Sequence, residues 1–186
     1  MEKIKRKINV LSEEHFTFES FISILIIVML LSSIFGFIYE EIFYRIDLGF
    51  FVKRGSTYGP WIPIYFFGGG LIFLLSYKFR KKPLLVFLIN CIITGILEYG
   101  TGYVLNELFE VRLWDYNNEI LNFGNINGYV CLRSILFFGI SSLLLVYLVI
   151  PLVKNLVNKY GKYMSIIGIV LLITFCSDVI IYHLSQ

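Results

Sequence analysis

Four ionisable residues stand inside or at the edge of apolar stretches of this 186-residue chain: Glu40, Glu98, Arg133 and Asp178. A charge carried into a hydrocarbon core costs about 3 kcal/mol even on lenient insertion scales, so such residues ask for a reason. Acids gathered with a guanidinium can hold a cation or a basic solute, or pass a proton. Paired carboxylates can also serve as general acid and base, and arginines such as Arg54, Arg112 or Arg133 can grip a phosphate with two hydrogen bonds. The plain alternative is a set of ion pairs that locks helices together, for instance Arg133 with Glu98 or Asp178.

The elements that must position these residues are apolar helices. The composition is 58% hydrophobic and only 16% charged, with a mean hydropathy of +0.78. A soluble domain is about a quarter charged. The expected class is therefore an all-α, polytopic membrane helix bundle. Five charge-poor runs predict transmembrane helices at about 21–40, 61–78, 83–106, 128–153 and 163–184. The first charge-free run, Phe21 to Tyr39, gives about 28 Å of helix and matches a hydrocarbon core of about 30 Å. Residues 20–186 read as one transmembrane domain. Residues 1–19 mix Lys, Arg and Glu with Ile, Val, Leu and Phe, and read as an amphipathic cytoplasmic segment on the membrane surface.

Counting helical rise brings the charges to one depth. Glu98 and Asp178 each lie 15 residues into their runs, or about 22 Å from one boundary. Arg133 comes from the other side, about 7 Å deep, and Glu40 sits at that same boundary. Asn90, Thr94, Glu98 and Gly102 recur at i+4 and share one helix face, as do Ser32, Gly36 and Glu40. Such stripes face protein or a cavity. The reading is a polar cavity built from Glu40, Glu98, Arg133, Asp178 and Asn90. Its rim comes from Arg54, Tyr58, Gly59, Pro60 and Trp61 in one loop and from Trp114, Asp115 and Asn127 in another. Asp115 reads equally well as a turn cap. Glu41 and Arg45, at i and i+4, read as a surface pair.

Lys and Arg flank the runs unevenly, eleven on one side against four on the other. By the positive-inside rule this puts the N-terminus in the cytoplasm and the C-terminus outside a bacterial plasma membrane. The cavity then opens outward. No basic block suits a nucleic acid. No GxxxxGK[ST] or HExxH is present, so neither a nucleotide nor a metal is expected as cofactor. Cys91, Cys131 and Cys176 lie apart in apolar runs and read as free thiols. His15 and His183 read as lone interfacial residues. There is no alanine, so helices must approach closely through Gly, Ser and Thr.

A weak internal repeat runs through the chain. Glu40, Gly59 and Gly68 match Glu98, Gly128 and Gly139 at offsets of 58, 69 and 71 residues. This predicts two parallel helix pairs with a fifth helix appended, an arrangement that frames central sites in transporters.

Several of these motifs resemble those of one bacterial family. They are Gly36-x-x-x-Glu40, Arg54-Gly55, Tyr58-Gly59-Pro60-Trp61-x-Pro63-Ile64-Tyr65, Glu98-Tyr99, Trp114-Asp115-Tyr116 and Asn127-Gly128. The family is called putative ABC-transporter type IV, or CmpB-like. Phe66 and Phe67 stand between Tyr65 and Gly68, where the family has glycine directly after the tyrosine. The resemblance implies a membrane permease. It also implies a separate ATPase or another membrane subunit as partner, beside the lipid bilayer and with homo-oligomerisation open. Three functions remain in play: a permease for a small or cationic solute, a membrane-embedded enzyme acting on a lipid or envelope precursor, and an accessory subunit.

Overall fold

The computed structural model describes residues 17–185. Most of the segment expected at 1–19 lies outside the described residues. Among those described, five apolar helices form and no strand does. They are α1 (Phe18–Leu48), α2 (Pro63–Phe79), α3 (Pro83–Phe109), α4 (Leu132–Tyr160) and α5 (Lys162–Leu184). Four are long and apolar enough to cross a membrane, and α2 is the shorter apolar helix. Its 17 residues fall at the lower end of the spanning range of about 17 to 25.

Thr17 starts α1, its hydroxyl accepting from the Ser20 amide, a standard N-cap. The helix continues past Glu40 and Glu41 to end at Gly49. Gly49 is at φ 82°, the left-handed conformation that glycine adopts without cost. Pro63 and Pro83 open α2 and α3, where their missing N–H is one the helix start leaves unpaired anyway.

Helix direction alternates, so the loop after α1, the loop after α3 and the end of α5 share one face. Contacts tie that face together. Asp47 accepts from the Ile120 amide at 3.1 Å, and the Tyr58 and Ser185 hydroxyls meet at 2.6 Å. On the opposite face only residues 80–82 and Gly161 join the helices.

The bundle pairs α1 with α2 and α3 with α4. The same packing recurs in both pairs. Tyr65 of α2 lies flat against Gly36 of α1, and Gly69 lies against Ser32. In the second pair Ile135 lies against Gly95, and Gly139 against Cys91. Gly95 and Cys91 follow Gly36 and Ser32 by 59 residues, and Ile135 and Gly139 follow Tyr65 and Gly69 by 70. These offsets correct the 58, 69 and 71 of sequence matching, because packing positions set the register and the acids do not. A side chain at Gly36 or Gly69 would overlap its neighbour, so glycine there is a condition of close approach.

Both second helices also carry one wide π turn, Ile72–Ser76 in α2 and Leu145–Val149 in α4. Pro151 follows the α4 turn after one residue, Ile150. It removes one amide donor and crowds the preceding turn, which the wider winding relieves. The π turns and the opposite-face ends of the helices form the main core, with Ile24, Val28, Phe73, Val86, Val146 and Ile150 at its centre. A second cluster, Leu30, Trp61, Phe66 and Phe175, joins α1, α2 and α5. Only Gly168 and Phe175 of α5 are buried, so that helix presents most of its surface outward.

Candidate functional site: a carboxylate and aromatic cavity beneath the loops

The buried face of α3 is Val86, Asn90, Thr94, Glu98 and Gly102, an unbroken i+4 stripe. It brings Glu98 to a cavity of about 30 Å³ just beneath the loops. That is room for about two water-sized groups. Each element delivers part of the wall. Helix α1 supplies Tyr39, Glu40, Phe43 and Tyr44, and α2 supplies Ile64 and Tyr65. Helix α4 supplies Arg133, Ser134, Phe137 and Phe138, and the loop between α3 and α4 supplies Trp114, Tyr116 and Glu119.

Two of the three carboxylates are neutralised. Arg54, from the loop after α1, bonds Glu40 through Nε at 3.1 Å. Its own amide donates to Glu41 at 3.1 Å, and its guanidinium lies 3.7 Å over the Tyr44 ring. Arg133 bonds Glu119 at 2.6 Å and donates to the Ile120 carbonyl at 2.6 Å. It lies over the Phe43 and Tyr116 rings, at 4.2 and 5.2 Å. The Tyr44 hydroxyl donates to the same Glu119 carboxylate. Thus the two arginines fasten the loops to the bundle.

Glu98 differs. It is 4% exposed, and among the described residues no ion pair reaches it. Its partners are hydroxyls: Tyr116 donates to one oxygen, and Ser134 lies 2.7 Å from the other. Burial, reinforced by the Glu98 carboxylate opposite, pushes the Tyr116 phenol well above its ordinary value, so it stays protonated and donates. Ser134 has one hydrogen but two acceptors in reach, Glu98 and the Cys131 carbonyl at 2.8 Å. When Glu98 is ionised, Ser134 donates to it. When Glu98 carries a proton, Ser134 can accept from it and donate to Cys131. The pair tolerates both states of the acid.

The other residues singled out from sequence sit elsewhere. Asp178 of α5 accepts from the Tyr58 amide at 3.1 Å, the Gly59 amide at 2.8 Å and the Trp61 indole at 2.6 Å. It clamps the Gly59-Pro60-Trp61 loop and does not line the cavity. Asn90 lies two turns below Glu98 and joins α3 to α2, accepting from Ser76 at 2.7 Å. Asp115 caps the turn at Tyr116–Asn118 and pairs with Arg112 at 3.0 Å. Asn127 and Gly128 both take positive φ, as the centre of a tight hairpin turn requires. The bridge between Ile126 and Val130 closes that hairpin. Arg45 lies over Phe51, and among the described residues no ion pair joins it to Glu41.

Glu119, Tyr116, Ser134 and Tyr65 line the cavity but are absent from the set expected from sequence, where Tyr116 and Tyr65 figure only within the family motifs. Glu119 and Tyr116 come from a loop, where no periodicity marks a buried side. Ser134 did carry a signal, since it neighbours Arg133 at the start of an apolar run. Among the described residues no His, Cys, Asp and Glu group is arranged to hold a metal ion.

The helices and the buried polar layer beneath their loops define a multi-pass α-helical membrane protein. The chain matches the model of the family described as Putative ABC-transporter type IV over residues 26–182, and it belongs to that family. No curated protein and no solved structure matches it.

Proposed function

We propose that the protein is a permease component whose cavity receives a small cation of the ammonium type from the loop face, with Glu98 as its counter-charge. One observation carries this reading: Glu98 is buried with two hydroxyl partners and no cation, while Glu40 and Glu119 each hold an arginine. A buried carboxylate without a cation is costly, so the site gains when a cation arrives. Aromatic side chains, among them Tyr39, Tyr65 and Trp114, line the cavity beside it, and aromatic rings attract a positive group. Room for about two water-sized groups favours a primary ammonium over a bulkier solute.

The loop face is the outer face of a bacterial plasma membrane in this reading, because Lys and Arg gather on the other side. An ATPase partner, as the family description suggests, would dock there, on residues 80–82 and around Gly161.

The test is calorimetric titration of the protein in nanodiscs with methylammonium chloride, against sodium chloride at equal ionic strength. Glu98→Gln keeps the shape and can donate a hydrogen bond, as the protonated acid does, so the fold survives. Methylammonium binding to wild type that Glu98→Gln abolishes supports the reading. A wild type that gives no heat beyond sodium overturns it and leaves the charges as ties between helices.

A further inference from the structure

Beneath the polar cavity lies a second space of about 280 Å³, walled by α1, α2 and α4. Its lining is almost wholly apolar: Leu31, Phe35, Ile72, Leu144, Leu145 and Leu148 are its principal walls. Gly68 and Gly69 leave its floor without side chains, and both π turns contribute to it. Leu31, Phe35, Leu144 and Leu148 are exposed at its rim, so it opens sideways, toward lipid. An apolar cavity of about 150 Å³ holds a benzene molecule. This space is nearly twice that size.

Tyr65, Phe137 and Phe138 are common to both linings. The polar cavity and the apolar groove therefore adjoin at these three rings. The upper space offers an acid without a cation and room for little more than an ammonium group. The lower space offers only hydrocarbon and an opening to the bilayer.

We propose that the two spaces form one site for an amphiphile with a primary ammonium head and an alkyl tail. The head lies against Glu98, and the tail lies along Tyr65, Phe137 and Phe138 into the groove, where it arrives sideways from the membrane. This rests on the reading of Glu98 as counter-charge to a cation. Bilayer tails are as apolar as the groove, so the groove adds orientation and packing contacts more than hydrophobic attraction.

Dodecylammonium is the probe, with methylammonium as head alone and dodecanoate as the same tail under the opposite charge. Each is titrated calorimetrically into protein in phosphatidylcholine nanodiscs, and the partition into empty nanodiscs is subtracted. Dodecylammonium should bind and dodecanoate should not. Glu98→Gln should weaken dodecylammonium about tenfold or more, the range for a hydrogen bond to a charged group. Leu148→Trp and, independently, Leu144→Trp fill the groove from its exposed rim. Each should weaken dodecylammonium and leave methylammonium unchanged, and methylammonium binding reports that each variant is folded. Equal binding of dodecanoate would show an ordinary acyl-chain groove and overturn the proposal. So would dodecylammonium binding that neither tryptophan alters. In that case Glu98-dependent methylammonium binding would leave the permease reading standing, whereas its loss would bring both down.

Discussion

The Arg133–Glu119 pair offers the sharpest measure of what holds the loop between α3 and α4 over the cavity. The two side chains are 12% and 6% exposed and meet at 2.6 Å. Glu119→Leu strips Arg133 of its carboxylate and leaves it the Ile120 carbonyl and two ring faces. The Tyr44 hydroxyl loses its acceptor as well. Removing one partner of a buried pair costs about 3–5 kcal/mol. The adjoining cavity can admit water, which puts Glu119→Leu near 3 kcal/mol on that same scale. Arg133→Met strands Glu119 in the same way and should cost about as much. The double variant removes both charges. It forfeits the Tyr44 and Ile120 hydrogen bonds, each worth about 1 kcal/mol, and the guanidinium's contacts with the Phe43 and Tyr116 rings, worth about 1 kcal/mol, and should cost about 3 kcal/mol in all. The coupling energy expected from this cycle is then about 3 kcal/mol. The assay is reversible unfolding in mixed dodecylsulfate micelles, followed by the fluorescence of Trp61 and Trp114. Independent sites add to within about 0.5 kcal/mol. A measured coupling that small would refute the claim that this pair ties loop to bundle.

Three further outcomes follow from the packing. Gly36→Leu drives a side chain into the Tyr65 ring and should cost about 3 kcal/mol or more, whereas Gly100→Ala meets open space and should be neutral or stabilise by up to about 1 kcal/mol; the same unfolding assay reads both. Asp178→Asn retains one acceptor oxygen for three donors and should destabilise by about 1–3 kcal/mol, with proteolytic cleavage near Tyr58 appearing before cleavage elsewhere. A C-terminal alkaline phosphatase fusion should be active in a bacterial host and a C-terminal green fluorescent fusion dark, and the reverse pattern would place the loop face in the cytoplasm.

The parts of this molecule that were legible in the sequence obey a period. Asn90, Thr94, Glu98 and Gly102 fall every fourth residue, and a helix must put them on one side. Their burial follows, because a polar stripe is poorly placed against lipid. Glu40 and Arg133 were legible for a similar reason, since rise per residue fixes their depth. Asp178 shows the limit of that reasoning. Depth says how far along the bundle a side chain lies, but not toward which neighbour it turns, and α5 turns Asp178 to the Gly59-Pro60-Trp61 loop. Glu119 was illegible because its position depends on loop turns: the cap at Asp115, the hairpin at Asn127 and Gly128, and the Asp47 contact to Ile120. None of these has a periodic signature, and each is long-range or conformational.

The two helix pairs treat their acids differently. Each helix pair places a glutamate near the end of its first helix, Glu40 in α1 and Glu98 in α3. In each pair the following loop returns to that glutamate, 14 residues on in the first case and 18 in the second. In the first pair the returning residue is Arg54, and the acid is neutralised. In the second it is Tyr116, which donates a hydrogen bond and brings no charge. The second pair has its own arginine, Arg133, but it comes from α4 and its carboxylate partner is Glu119 of the same loop. With a phenol rather than a guanidinium returning to Glu98, three carboxylates face two guanidiniums. Glu98 is the member left over, at the point where the polar cavity meets the rings it shares with the apolar groove.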